Sequence, residues 1–276
     1  MAKLLLVVTG ASRGLGRAIA KAFCSSHALT YPDNTEKITH IRAILVARSL
    51  NGLQETETEI LQNGNDDTTA VQIECSKHAV DLGNLETLDG HLDDLFREIS
   101  EHATADSRLI FVNNAGTLGH LGPCIASPSL QDMRTNVDLN ITSALWTSVR
   151  FARFAASSLA ETFARTTIVN ISSLVAVQPF PTMGVYSAGK AARDMYHTIL
   201  AKEVVPSIIQ VLNYAPGPLE TDMATELRTA QTLDKDLKPH FEKQLVDPND
   251  SALKLVALVT AGEFESGAHI DYYDLP

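Results

Sequence analysis

The sequence predicts an α/β fold, a doubly wound parallel sheet flanked by helices on both faces. Three observations carry this expectation. Short apolar, β-branched runs alternate with longer helical patterns, the order in which crossover helices join parallel strands. The runs are apolar residue after residue rather than alternating, which suits strands buried on both faces. Finally, 276 residues at 45% hydrophobic and 20% charged have ordinary globular composition and the length of one large domain. That composition excludes disordered, collagen-like and coiled-coil chains.

In chain order the strand candidates are residues 4–8, 41–46, 70–73, 109–112, 167–171 and 208–212. Helical patterns between them include 17–26, 85–99, 132–159 and 188–203. Lys3 precedes only Leu4-Leu5-Leu6-Val7-Val8, too short for a signal-peptide core, and the run reads as the first strand. Residues 31–37 and 63–67 are polar and turn-rich and read as surface loops. From Asp132 onward, Val137, Ile141, Leu145, Val149 and Ala152 recur at three- or four-residue steps. They share one helical face, which is either core or a dimer contact. The longest uncharged stretch, 166–189, holds Asn170, Ser172, Ser173, Gln178, Pro179 and Pro181 and does not read as a membrane span. Residues 231–250, polar and charged with Pro239 and Pro248, are either a mobile flap over a site or a solvated connection.

With 22 basic against 33 acidic side chains the formal net charge is −11, which argues against a nucleic-acid or anionic-membrane surface. Cys24, Cys75 and Cys124 are odd in number and share no short spacing, which suits free thiols in a reducing compartment. The nine histidines form no HxH or HExxH pattern, so no metal site is expected. Together these features predict a soluble, cytoplasmic protein.

Directly after the first strand comes Thr9-Gly10-Ala11-Ser12-Arg13-Gly14-Leu15-Gly16, and a helical pattern follows it. Glycines suit a backbone that must turn sharply and approach a pyrophosphate, while the helix start offers free N–H groups and partial positive charge. Strand before and helix after is the context that supports a dinucleotide site. The alternative is a tight strand–helix turn that binds nothing. At the end of the second strand an acidic residue would bind ribose hydroxyls and repel a 2′-phosphate. Arg48-Ser49 stands there instead, and with Arg13 it favours NADP(H) over NAD(H).

Tyr186 and Lys190 are four residues apart at the start of a helix, hence on one face. A neighbouring ammonium stabilises phenolate, so this spacing predicts a phenol more acidic than usual and suited to general acid–base work. Ser173 lies thirteen residues upstream, just past an apolar strand, where its hydroxyl can bond a substrate carbonyl.

Thr9-Gly-x-x-x-Gly14-x-Gly16, Asp81-Leu82, Asn113-Asn-Ala-Gly116, Asn140, Ser173, Tyr186-x-x-x-Lys190 and Pro216-Gly217 occur in this order over nearly the whole chain. In this the chain resembles the short-chain dehydrogenase/reductase family. The resemblance implies a single Rossmann-type domain over 1–276, with 1–115 mainly binding the dinucleotide and 116–276 supplying the catalytic and substrate-binding half. It makes Tyr186 the general acid for carbonyl reduction and Lys190 the ligand of the nicotinamide ribose that tunes Tyr186. Ser173 would polarise the carbonyl, and Asn140 would hold a proton-relay water. It places Asp81 and Leu82 by the adenine, Asn113 by the cofactor ribose, and Leu219, Thr221, Asp222 and Met223 by the nicotinamide. Asn113 bridging strands, and Asp81 capping the next helix, are the plainer readings of those two.

Within the family, Asn170-Ile-Ser-Ser-Leu174, Gln178-Pro-Phe180, residues 188–195 and 212–223, and the tail Ser266-Gly-Ala-His-Ile-Asp271 narrow the resemblance. They point to an NADPH-dependent reductase of side-chain ketones on a reduced pterin, working as a homodimer. Asp271 would then anchor the guanidine-like pterin edge through two parallel N–H bonds, with Leu174 and Gly217 lining the same pocket. Asp271 as a surface or end-of-strand acid is the alternative. Reduction of another carbonyl, such as a benzil-type diketone, remains open, and so does a non-catalytic NADP(H) sensor.

Overall fold

A computed structural model describes residues 2–25, 38–64, 71–126, 129–157, 163–243 and 245–276. Its centre is a seven-stranded, all-parallel sheet in the order β3-β2-β1-β4-β5-β6-β7. The strands are β1 (Ala2–Thr9), β2 (Ile38–Ala47), β3 (Gln72–Ala79), β4 (Ser107–Asn113), β5 (Phe163–Ile171), β6 (Ile209–Ala215) and β7 (His269–Asp271). Helices α1 (Gly14–Ser25), α2 (Leu50–Gly64), α3 (Leu85–His102), α4 (Leu130–Val137) and α5 (Ala144–Ala156) cover the first five strands. They are followed by α6 (Gly184–Glu203), α7 (Asp222–Thr229), α8 (Lys238–Glu242) and α9 (Pro248–Ala261). This is the expected single-domain, Rossmann-type doubly wound sheet. No helix among the described residues is long and apolar enough to cross a membrane.

Alternate residues of β1 serve opposite faces. Leu4, Leu6 and Val8 pack with Ile19 and Phe23 of α1 and Leu255 of α9, while Leu5 and Val7 pack with Leu92 of α3 and Phe151 of α5. Each such side chain contributes about 1.5–3 kcal/mol of burial. Stacking of Phe111 on Phe151, with centroids 3.9 Å apart, joins β4 to α5. Strand order reverses between β1 and β4, and in open α/β sheets the crevice beyond the strand C-termini at such a point takes the ligand.

The structure corrects several boundaries. β3 runs to Ala79, well past the expected Ile73, because Glu74, Ser76, Lys77 and His78 break the apolar run. This edge strand is tied by ion pairs instead: Arg42 bonds Glu74 (2.8 Å) and Glu98 (2.8 Å), and His78 bonds Glu98 (2.7 Å). α2 and β7 carried no sequence expectation. Residues 63 and 64 close α2 rather than opening a loop, whereas 65–67 and the loop 31–37 lie outside the described residues.

The helix expected over 132–159 is divided by a π-helical turn, Asp138–Ser143. The extra residue in that turn rotates the face that follows. Ala144, Thr147, Ser148, Phe151, Ala152 and Ala155 are the buried residues of α5, while Val137, Ile141, Leu145 and Val149 are only half-buried. The core reading of that stripe therefore holds for Ala152 alone.

Candidate active site

The turn after β1 is built against the end of β4. The Thr9 hydroxyl donates to the Val112 carbonyl (3.4 Å) and accepts from the Asn114 and Ala115 amides (2.9 and 3.0 Å). Gly10 and Gly14 have φ of +68° and +54°, a region that costs any side chain energy. A Cβ on Gly16 would run into the Gly10 carbonyl oxygen. The chain then enters α1, whose first amides have no partner within the helix. Gly10, Ser12, Arg13, Gly14, Leu15 and Gly16 line one wall of a cleft of about 1320 Å³. Arg17, not anticipated from the sequence, braces the turn by donating to the Ser12 carbonyl (2.6 Å) and to Thr56 (3.0 Å) and Glu59 (2.8 Å) of α2.

Arg48 and Ser49 are exposed at the C-terminal end of β2 and line the same cleft, and Ser49 Oγ accepts from the Gly52 amide (3.1 Å). Arg13 reaches across the opening, its Nη1 donating to Asp222 Oδ2 at 2.6 Å. Leu219, Thr221, Asp222 and Met223 complete that opposite wall. Asp81 and Leu82 also line the cleft. Asp81 closes a small turn by accepting from the Gly83 amide (3.0 Å), but the cap of α3 is Asn84, which accepts from the Glu86 amide (3.2 Å).

Asn113 is turned away from the cleft. Its Nδ2 donates to the Ala144 carbonyl (2.7 Å) and to Ser148 Oγ (3.0 Å), binding β4 to α5, and Asn114 lines the cleft instead. Successive strand residues point to opposite faces, so the two cannot share one role. A dinucleotide suits these walls. There is bare glycine backbone where a side chain would fill the space, a helix N-terminus for a pyrophosphate, and an arginine, Arg48, just beyond the end of β2.

Tyr186 and Lys190 occupy the first turns of α6, and Ser173 stands just beyond β5. Lys190 Nζ lies 5.7 Å from the Tyr186 ring centre and donates to the Ile171 carbonyl at 2.6 Å. Ser173 caps a short 3₁₀ turn, Leu174–Ala176, accepting from the Val175 amide (3.4 Å), and hydrogen-bonds the Tyr186 phenol. Tyr186 OH also lies 4.0 Å from Met223 Sδ. The four-residue spacing leads to an acidified phenol, and the structure corrects this. Burial pushes Tyr186 up to about 12, offset only in part by the Arg193 charge and the Ser173 hydrogen bond. Burial, with the Arg193 charge second, drives Lys190 well below its usual range.

Asn140 sits in the π-helical turn. Its Oδ1 accepts from the Thr117 amide (2.9 Å) and its Nδ2 donates to the Thr117 carbonyl (2.7 Å) and Asn136 Oδ1 (3.0 Å). Both amide hydrogens are thereby used within the protein, fixing the segment after β4 against the turn.

The cleft widens past Tyr186, where Ser173, Leu174, Gly217 and Asp271 all line it. Gly217, at φ +78°, brings its backbone against Val246 and Tyr272. Asp271 ends β7 and caps the turn Tyr272–Asp274 by accepting from the Tyr273 amide (3.0 Å), so its end-of-strand role is present while it also lines the cleft. Beside it His269, given no role in the sequence reading, bonds Asp194 (2.6 Å), and that bond raises its pKa. Within 231–243, Leu233 and Leu237 are buried against Leu118, Val175, Met183 and Tyr186, and His240 and Phe241 line the cleft, while most of the other residues are exposed. The spacing of Leu233, Leu237 and Phe241, four residues each, was the available signal. Among the described residues no three His, Cys, Asp or Glu side chains are grouped to hold a metal.

The family model described as short chain dehydrogenase matches residues 5–232. The chain belongs to the short-chain dehydrogenase/reductase family, and it is an oxidoreductase acting on CH–OH or C=O groups, in a family that uses nicotinamide cofactors. It is similar to the sepiapterin reductase of Rattus norvegicus, 36% identical over 98% of this chain and 96% of that protein. It is also similar to the benzil reductase ((S)-benzoin forming) of Bacillus subtilis (strain 168), 25% identical over 94% of each. Among solved structures, NAD+-bound xylitol dehydrogenase shares the fold with a TM-score of 0.74 at 19% identity, covering 98% of this chain and 97% of that one.

Proposed function

We propose that this protein is an NADPH-dependent carbonyl reductase that acts on the side-chain ketones of a reduced pterin, as a sepiapterin reductase does. The observation that carries this reading is one continuous cleft in which the glycine turn, Tyr186 with Ser173, and Asp271 all meet. Gly10, Gly14 and Gly16 with the α1 amides would hold the pyrophosphate, Arg48 with Arg13 a 2′-phosphate, and Lys190 the nicotinamide ribose. A bound reduced nicotinamide supplies hydride to the carbonyl carbon.

The chain's own groups do the rest. Ser173 bonds the carbonyl oxygen and holds it at the phenol, and Tyr186 delivers its proton there as negative charge develops. At about 12 the buried phenol carries its proton at neutral pH, as an ordinary phenol does, so the proton to be delivered is present. Phe241, which lines the cleft and packs on the cluster holding Leu233 and Leu237, keeps water from the reacting carbonyl. Asp271 accepts the pterin's paired N–H groups. The half-buried stripe of Val137, Ile141, Leu145 and Val149, which runs from α4 through the π-helical turn into α5, would be the face offered to a second copy in the homodimer, which sedimentation of the purified chain decides.

The test is a panel of carbonyl substrates that includes sepiapterin and benzil, run with NADPH and with NADH. The expected result is a kcat/KM highest for sepiapterin with NADPH, and an Asp271→Asn variant whose KM rises for sepiapterin but not for benzil. Equal effects on both substrates would remove the pterin anchor. Equal or better kcat/KM with NADH would remove the phosphate-recognising arginines.

A further inference from the structure

Beneath the catalytic tyrosine lies a charged group that the chemistry above leaves unused. Tyr186, Lys190, Arg193 and His197 fall at three- and four-residue steps on α6, one stripe facing the sheet. Arg193 is fully buried (0% exposed). Among the described residues no carboxylate contacts its guanidinium. Its Nε donates to Asn170 Oδ1 (2.8 Å), its Nη1 to the Ala115 carbonyl (3.0 Å) and its Nη2 to the Asn113 carbonyl. Taking such a cation out of water without an ion pair is costly, and an apolar side chain of similar volume would avoid that cost.

The three acceptors are informative. Asn113 and Ala115 bracket Asn114 at the end of β4, and Asn170 lies near the end of β5. Asn114, Ala115 and Gly116 line the cleft. A Cβ on Gly116 would lie 3.9 Å from Arg193 Nη1 and 3.2 Å from Asn140 Oδ1, so the guanidinium sits directly under the cleft wall. Its own surroundings are fixed in turn. His197 Nδ1 must donate to the Arg193 carbonyl (2.7 Å), since a carbonyl only accepts. The Ser148 hydroxyl meets His197 Nε2 at 2.8 Å and accepts from Asn113. Asn170 Nδ2 donates to Asp194 Oδ1 (3.1 Å), and Asp194 in turn holds His269 (2.6 Å) beside Asp271.

We propose that Arg193 is a positioning residue of the nicotinamide site: its guanidinium clamps the ends of β4 and β5 into the floor that holds a nicotinamide ring against Tyr186 and Lys190. The inference rests on the dinucleotide reading given above. It is consistent with the electrostatics, since the Arg193 charge acts on both Tyr186 and Lys190.

Arg193→Lys keeps the charge and loses the planar fork, and Arg193→Gln loses both. Three quantities are measured on the full chain: hydrogen exchange over residues 113–118, NADPH affinity by nicotinamide fluorescence, and kcat and KM for the best carbonyl substrate. The expected result for Arg193→Lys is a native thermal melt with faster exchange confined to 113–118. NADPH Kd should rise about tenfold and kcat fall about 10²-fold while KM for the carbonyl changes little, because small displacements at a reacting centre carry penalties of that size. Wild-type Kd and kcat in a folded Arg193→Lys protein would overturn the proposal. Faster exchange spread evenly over the sheet would overturn it too, since that marks a general structural role. If Arg193→Gln does not fold, Arg193→Lys alone decides. A wild-type protein that binds NADPH but reduces no carbonyl would sink the reductase reading, while the exchange and affinity measurements still decide this one.

Discussion

At the scale of single residues, the site depends on a buried phenol. Tyr186→Phe removes one oxygen from a packed position and leaves the ring in place. The protein should keep its melting temperature within a few degrees and lose kcat by about 10²–10⁴-fold, the usual worth of general acid–base catalysis. A variant retaining most of its turnover would take Tyr186 out of the chemistry. Tyr186, Lys190 and Ser173 were legible because short fixed spacings in the sequence become one helical face and one strand end. Asn113 was not, because Asn113 and Asn114 are adjacent amides of the same type, and only the phase of β4 decides which one meets the cleft. Arg193 escaped notice for a related reason. Nothing in a sequence distinguishes an arginine in solvent from one whose donors all end on buried carbonyls.

At the scale of elements, apolar patterning identified the strands buried on both faces and passed over most of the one held by charge. That strand is β3, tied to β2 and α3 where Glu98 gathers Arg42 and His78 across three elements. Burial alone would raise this carboxyl, but hydrogen bonds from His78 and Arg42 and the Arg42 charge overcome it and hold Glu98 at about 2. A carboxyl with a depressed folded pKa contributes stability above its unfolded pKa and loses it as pH falls through the folded one. Glu98→Gln should therefore lower the melting temperature near pH 7 and narrow its gap to wild type progressively below about pH 4. A gap that does not change with pH would mean that Glu98 acts through packing. The π-helical turn was equally invisible. A stripe at steps of four continues smoothly through residues 137–149, and the inserted residue that turns it outward leaves no mark on the spacing.

At the scale of the whole molecule, the first and last thirds of the chain meet around the cleft and along the α1–α9 contact. Sequence order alone predicted the alternation and the reversal between β1 and β4. It could not show that residues near position 13 and position 222 would touch. Their ion pair is mostly in solvent, at 71% and 73% exposed, and such a pair is worth about 0–1 kcal/mol. Both residues line the cleft that the dinucleotide reading assigns to the cofactor, so the weakness of their pair bears on traffic. A fastener of that strength opens by thermal motion on every passage, and added salt loosens it further. Asp222→Asn should speed escape of spent cofactor about two- to fivefold in stopped-flow measurements, a change matching the energy of an exposed pair, and the difference from wild type should vanish at high ionic strength. An identical escape rate at low salt would mean that the cleft has no such fastener. Removing so weak a fastener would raise turnover by no more than the same about two- to fivefold, and only where escape of the cofactor is the slow step.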